Sequence, residues 1–176
     1  MKTRSVSKKD IIRQTASRDL RGTRASKAPD VAAKAAPLAE PSVCESCSAV
    51  YMRRTWRSDR PVTHAVLEKA EWVKCPACKQ TRSGIAYGRV LAKGDFDARR
   101  LGAMERRILN VAARAGFTQP QRAIVSMERM PFGLEVLTTS QKLAHRIVHE
   151  LKKAFGGRAR YRWAEEDGTL LATWNG

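Results

Sequence analysis

The chain has 176 residues, with 34 Lys and Arg against 17 Asp and Glu, for a net charge of +17. No run approaches the ~18 apolar residues of a membrane-spanning helix, which excludes an integral helical membrane protein and leads us to expect a soluble one. Basic and acidic groups number ten and four in residues 1–42, ten and five in 43–95, and fourteen and eight in 96–176, which excludes a neutral domain with a basic tail. A molecule cationic throughout is suited to polyanions, nucleic acid above all.

Residues 1–42 read as a disordered basic arm. Small and charged residues dominate, prolines stand at 29, 37 and 41, and few large apolar side chains are present to offset ordering entropy. Lys8, Lys9, Arg13 and Arg18 suit phosphate contact as well as they suit a solvated tail. The stretch from Met1 to Arg24 lacks the apolar core of a secretory signal. Asp10 and Asp19 argue against a transit peptide, so a cytoplasmic location is expected.

Residues 43–93 read as a metal module. All four cysteines fall in two identically spaced pairs, Cys44-Glu45-Ser46-Cys47 and Cys75-Pro76-Ala77-Cys78. A C-x-x-C pair turns two thiolates toward one point, and two pairs supply the four soft ligands of a closed tetrahedral zinc site. Such a site has no open position, so a single Zn2+ would be structural. Disulfides would need an oxidising compartment. A thioredoxin-like site would leave the second pair without a role.

Between the pairs lie the 27 residues Ser48 to Lys74, longer than the usual zinc-ribbon gap. There Tyr51 and Trp56 flank Arg53 and Arg54, with Arg57 and Arg60 following. Guanidinium groups bind phosphate and flat rings stack on unpaired bases, so this stretch suits RNA. Equally, Tyr51 and Trp56 would cover a module too small for another core. Val66, Leu67, Ala70 and Val73 predict a short helix over Thr63–Trp72. His64 reads as a surface residue. Gly84 to Leu91 has strand character, with a bend or bulge at Gly88.

Residues 94–176 read as a separate α/β domain. A helix is expected with Asp95 as N-cap, an inner face of Leu101, Met104, Ile108, Val111, Ala112 and Ala115, and a stop at Gly116. It carries Arg100, Arg107 and Arg114 at heptad spacing, with only Asp97 and Glu105 in balance. That bias favours RNA contact over a solvated face. A hairpin follows: Arg122–Met130, a turn at Pro131-Phe132-Gly133, and Leu134–Thr138. Thr139 or Ser140 caps a second helix with Leu143, Ile147, Leu151 and Phe155 inside, ended by Gly156-Gly157. His145 and His149 stand one turn apart, but without a third ligand and among basic neighbours they read as a solvated face.

The last hairpin pairs Arg158–Trp163 with Thr169–Trp174 through Glu165-Glu166-Asp167-Gly168. Arg158, Arg160 and Arg162 alternate with Ala159, Tyr161 and Trp163, so the arginines share one face. They suit a phosphate platform or an edge strand blunted by charge. The fold class expected is α+β: a four-cysteine zinc-ribbon-like module, then a two-layer α/β sandwich in the order α-β-β-α-β-β. Catalytic signatures are missing: no P-loop, GxGxxG or HExxH, and no nucleophile elbow. Glu165, Glu166 and Asp167 have turn chemistry as a sufficient explanation. No enzyme and no small-molecule substrate are expected.

The paired knuckles, Gly94-Asp95-Phe96 before a helix, Gly133-Leu134-Glu135-Val136 before the helix from Ser140 to Phe155, and the strand ending in Trp174 form a recognisable series. In these the chain resembles short bacterial relatives of the nonsense-mediated-decay protein three family, whose eukaryotic member is the export adaptor of the large ribosomal subunit. The likeness covers roughly residues 43–174. It implies a zinc-bearing RNA-binding protein that contacts the large subunit, with Cys44, Cys47, Cys75 and Cys78 in the ligand positions. The eukaryotic adaptor carries more cysteine pairs, further domains and transport signals, so an export role does not transfer. The expectation is thus a cytoplasmic, non-enzymatic zinc protein that binds ribosomal RNA in assembly, quality control or dormancy. A zinc-ribbon DNA-binding regulator is the alternative, and a nuclease a more distant one.

Overall fold

The computed structural model describes residues 38–164 and 168–176. Most of the expected basic arm, residues 1–37, and the acidic turn of Glu165, Glu166 and Asp167 lie outside them. The described residues carry two sheets, one of four strands and one of five.

The first sheet has the order β3-β2-β1-β4. Strand β1 (Ser42–Cys44) runs antiparallel to β2 (Val50–Met52), with Val43 opposite Val50. It runs parallel to β4 (Glu71–Val73), with Cys44 opposite Val73. Strand β3 (Thr55–Arg57) completes a hairpin with β2. The helix expected over Thr63–Trp72 is cut to one turn, α1 (His64–Leu67), which buries none of its residues. Its apolar spacing has nothing to pack against. Glu71–Val73 instead take ladder bonds with β1, and the Glu71 N–H donates to the Pro41 carbonyl at 3.1 Å. A second helix, α2 (Pro76–Arg82), follows the second cysteine pair.

The five-stranded sheet has the order β6-β7-β5-β9-β8. It is built from β5 (Gly88–Lys93), β6 (Ile124–Met130), β7 (Gly133–Thr138), β8 (Arg158–Trp163) and β9 (Leu170–Asn175). Helices α3 (Ala98–Thr118) and α4 (Gln141–Phe155) cover one face. From Gly94 onward the order is the α-β-β-α-β-β expected, and the fold is α+β. Strand β5, however, is the middle strand of this sheet, antiparallel to β7 and parallel to β9. The sandwich therefore begins at Gly88 and not after Lys93. Both β5 ladders run in unbroken register, so Gly88 makes no bulge. Its lack of a side chain serves packing: a Cβ there would stand 2.5 Å from Thr138 Oγ1 and 2.6 Å from the Ala144 Cβ of α4.

The period-two pattern of the strands and the 3.6-residue pattern of the helices meet in one core. Val90, Ala92, Leu134, Val136, Leu170 and Trp174 face Met104, Ile108, Leu143, Ile147 and Leu151, all buried. Trp174 stacks on Phe96 with centroids 5.6 Å apart, and its Nε1–H donates to the Gly156 carbonyl at 2.8 Å.

Helix boundaries differ from expectation in α3. Its N-cap is Asp97, whose carboxylate accepts from the Arg100 N–H at 2.6 Å. The helix runs through Gly116 to Thr118. Pro120 sets its end, because the residue before a proline, here Gln119, is driven out of the helical region (φ −134°, ψ 82°). Ser140 caps α4 as expected, accepting from the Leu143 N–H at 3.2 Å, and Gly156 ends it at φ 75°.

Candidate metal centre and basic surface

Each cysteine pair is built by its own local structure. Cys44 closes β1. Its N–H donates to the Ala49 carbonyl at 2.8 Å, and its carbonyl accepts from Ser48 N–H at 2.9 Å. Ser48 takes a left-handed φ of 57° and returns the chain into β2. The second pair opens α2: Cys75 is the N-cap, Pro76 the first helical residue and Cys78 the third. Proline suits that first position because its missing N–H would have had no partner there. The parallel register that sets Cys44 opposite Val73 then brings the two knuckles together.

The four Sγ atoms lie within 4.8 Å of one another, and none is in a disulfide. Cys47 and Cys75 Sγ are 3.8 Å apart, which matches the edge of a tetrahedron of metal–sulfur bonds of about 2.3 Å. Backbone N–H groups point at the sulfurs: Cys75 N–H at Cys44 Sγ (3.3 Å) and Cys78 N–H at Cys75 Sγ (3.5 Å). Burial opposes ionisation of Cys44, but N–H donors from Cys75, Ser46 and Cys47 outweigh it and bring the thiol down to about 6. Burial raises Cys75, and it pushes Cys78 up to about 11. Without a cation, ionisation is thus favoured at Cys44 and opposed by burial at Cys75 and Cys78. Four thiolates at these separations need a bound metal to offset their repulsion. The donor set fits a metal ion, held by Cys44, Cys47, Cys75 and Cys78.

Cys44, Ala49, Cys75 and Ala77 form a buried cluster around the sulfurs, beside the buried Val43 and Val50 of the strands, and Trp56 packs against the cluster partly buried. Its ring meets Tyr51 across the β2–β3 hairpin, with centroids 5.3 Å apart. Trp56, expected at an RNA surface, is thus also a wall of the metal centre.

The arginines singled out by sequence fall into two groups. Several are engaged within the protein. Arg57 is ion-paired with Asp59, its Nε donating at 2.7 Å. Arg60 Nη1 lies 3.3 Å from Met52 Sδ. Arg100 covers the Phe96 ring at 5.1 Å. Arg107 joins α3 to α4 through Glu150 at 2.5 Å. The expected heptad row on α3 is therefore not uniform, and of its members Arg114 is the exposed one.

The others are exposed without a side-chain partner among the described residues. Arg53 and Arg54 occupy the tip of the β2–β3 hairpin, both with left-handed backbone (φ 53° and 57°). Glu40 holds that turn, accepting from the Arg53 N–H at 2.9 Å and the Arg54 N–H at 2.7 Å. Glu40 had no signal in the sequence, being an isolated acid thirteen residues before the turn it grips. Arg158, Arg160 and Arg162 lie on β8 opposite Asn175, Thr173 and Leu171 of β9. They share the sheet face turned away from the helices, and all are exposed.

No protein-family model matches the chain, and no curated protein matches it significantly. No helix among the described residues is long and apolar enough to cross a membrane.

Proposed function

We propose that this chain is a zinc-stabilised, non-enzymatic RNA-binding protein of the cytoplasm that works on the large ribosomal subunit. One observation carries the RNA reading: the row of Arg158, Arg160 and Arg162 on the exposed edge strand, without a carboxylate partner among the described residues. Alternate residues of a strand stand roughly 6.7 Å apart, a spacing comparable with that of successive phosphates along a nucleic-acid strand. Arg53 and Arg54 add a second exposed basic point. Four sulfur donors within 4.8 Å of one another support a soft-ligand metal, and the two C-x-x-C pairs favour zinc. The large subunit as partner is supported by the resemblance to the nonsense-mediated-decay protein three family.

The test is sedimentation of the full chain with purified ribosomal subunits at low and high salt. Co-migration with large subunits, lost as salt rises, is the expected result. Recovery only in ribosome-free fractions sinks the ribosomal part of the reading. Equal competition by duplex DNA and by structured RNA would move it to the DNA-binding alternative. Elemental analysis of the same preparation should give one zinc per chain.

A further inference from the structure

We infer that the free edge of the sandwich, strand β8 with the outer face of α4, is a site for single-stranded RNA in which Trp163 and the Tyr161–His145 stack hold unpaired bases. This rests on the RNA-binding reading above and narrows it to one form of nucleic acid and one edge of the molecule.

Among the described residues strand β8 pairs with β9 alone, and no other strand of them lies on its outer edge. Its arginines face away from the helices, which turns Tyr161 and Trp163 to the helix side. Their partners in register, Ala172 and Leu170, are fully buried. The aromatics are not: Trp163 is 55% exposed and Tyr161 39%. Over β8 the helical layer covers the sheet only in part: Ala159 packs against the core, while Tyr161 and Trp163 stay largely in solvent. Tyr161 stacks instead on His145 of α4, with centroids 4.6 Å apart and planes at 27°. Large rings left in water at a strand edge are unfavourable unless a partner covers them, and a flat partner recovers most area from a stacked pair.

Charge specifies the partner. The outer face of α4 presents Lys142, His145, Arg146, His149, Lys152 and Lys153, all exposed and none in an ion pair among the described residues. The one acid of that helix, Glu150, is turned to Arg107. The exposed rings are therefore flanked by cations on both sides: β8 arginines on one, α4 on the other. Flat rings on a polyanionic chain are unpaired nucleotides. A duplex hides its base faces in the stack and offers only phosphates to such an edge.

The test is fluorescence anisotropy with the full chain and three probes: a single-stranded oligouridine of about 12 residues, an RNA duplex of that length, and oligoglutamate. The single strand should bind most tightly. Trp163→Ala should weaken it roughly 5- to 100-fold while leaving duplex affinity unchanged, and Trp163→Phe should retain most binding. Circular dichroism of both variants checks that the fold is intact. If Trp163→Ala and Tyr161→Ala leave single-strand affinity unaltered while Arg158→Gln lowers it, the stacking site is overturned and the RNA-binding reading stands. Failure of the wild-type chain to bind either RNA removes both. Equal competition by oligoglutamate overturns the assignment to RNA.

Discussion

At the hairpin tip, Arg53 and Arg54 hold a backbone conformation that costs L-residues roughly 1–2 kcal/mol each, and the Glu40 carboxylate offsets that cost by accepting from both N–H groups. Those bonds, from Arg54 first and then Arg53, hold the Glu40 pKa below its ordinary 4.5. A carboxyl depressed in the folded state contributes stability that is present above the ordinary value and is lost as pH falls through the lower, folded value. The Arg53 and Arg54 amide resonances should therefore titrate together with a midpoint below 4.5, and Glu40→Gln should abolish the transition. A midpoint at or above the ordinary value would show that the carboxylate does not grip the turn. Gly88 is the second residue where a single atom decides the structure. Gly88→Ala places a methyl against Thr138 and Ala144, and overpacking of that kind costs about 1–3 kcal/mol. The measurement is the urea midpoint, and an unshifted midpoint would mean that α4 can move away from β5 freely.

Among the elements, the sequence speaks where signals are local and falls silent where partners are distant. The β6–β7 hairpin and α4 are legible because Pro131-Phe132-Gly133, Ser140 and Gly156 mark their ends within a few residues. The clustering of the four cysteines is legible for the same reason. Strand β4 is not, because its apolar residues have helical spacing and only pairing with β1, some thirty residues earlier, makes them extended. The middle position of β5 depends on β9, about eighty residues later. Helix α2 carries a local signal in Pro76, which suits the first position of a helix. These boundaries set what metal removal should do. The module buries only Val43 and Val50 on its strands and the cluster of Cys44, Ala49, Cys75 and Ala77, too little apolar surface to hold it without a metal. Chelation should expose residues 42–82 to hydrogen exchange while β5 to β9 stay protected. Loss of protection across β5 would contradict its place in the sandwich.

For the molecule as a whole, charge governs association more than stability. With a net +17, binding to any polyanion should weaken steeply with salt. Replacing Arg158, Arg160 and Arg162 together by Gln should lower the log–log salt slope for single-stranded RNA by roughly 2. An unchanged slope would place the phosphate contacts elsewhere, with Arg53, Arg54 and Arg114 next in line.

Helix α2 is anchored differently at its two ends. At its start, Cys75 is cap and candidate metal ligand in one residue. Near its end, the Gln80 amide donates to the Ile85 carbonyl at 3.0 Å and to the Thr139 carbonyl at 2.9 Å, where α4 begins. Coupling between two sites on one rigid element is reciprocal. Gln80→Ala should thus lower metal affinity in chelator competition although Gln80 touches no cysteine, and unaltered affinity would show the two ends to be independent. Occupancy of the four sulfurs then becomes a thermodynamic gauge of how firmly the sandwich is assembled, and whatever stiffens the sandwich, a bound polyanion included, should tighten the hold on the ion.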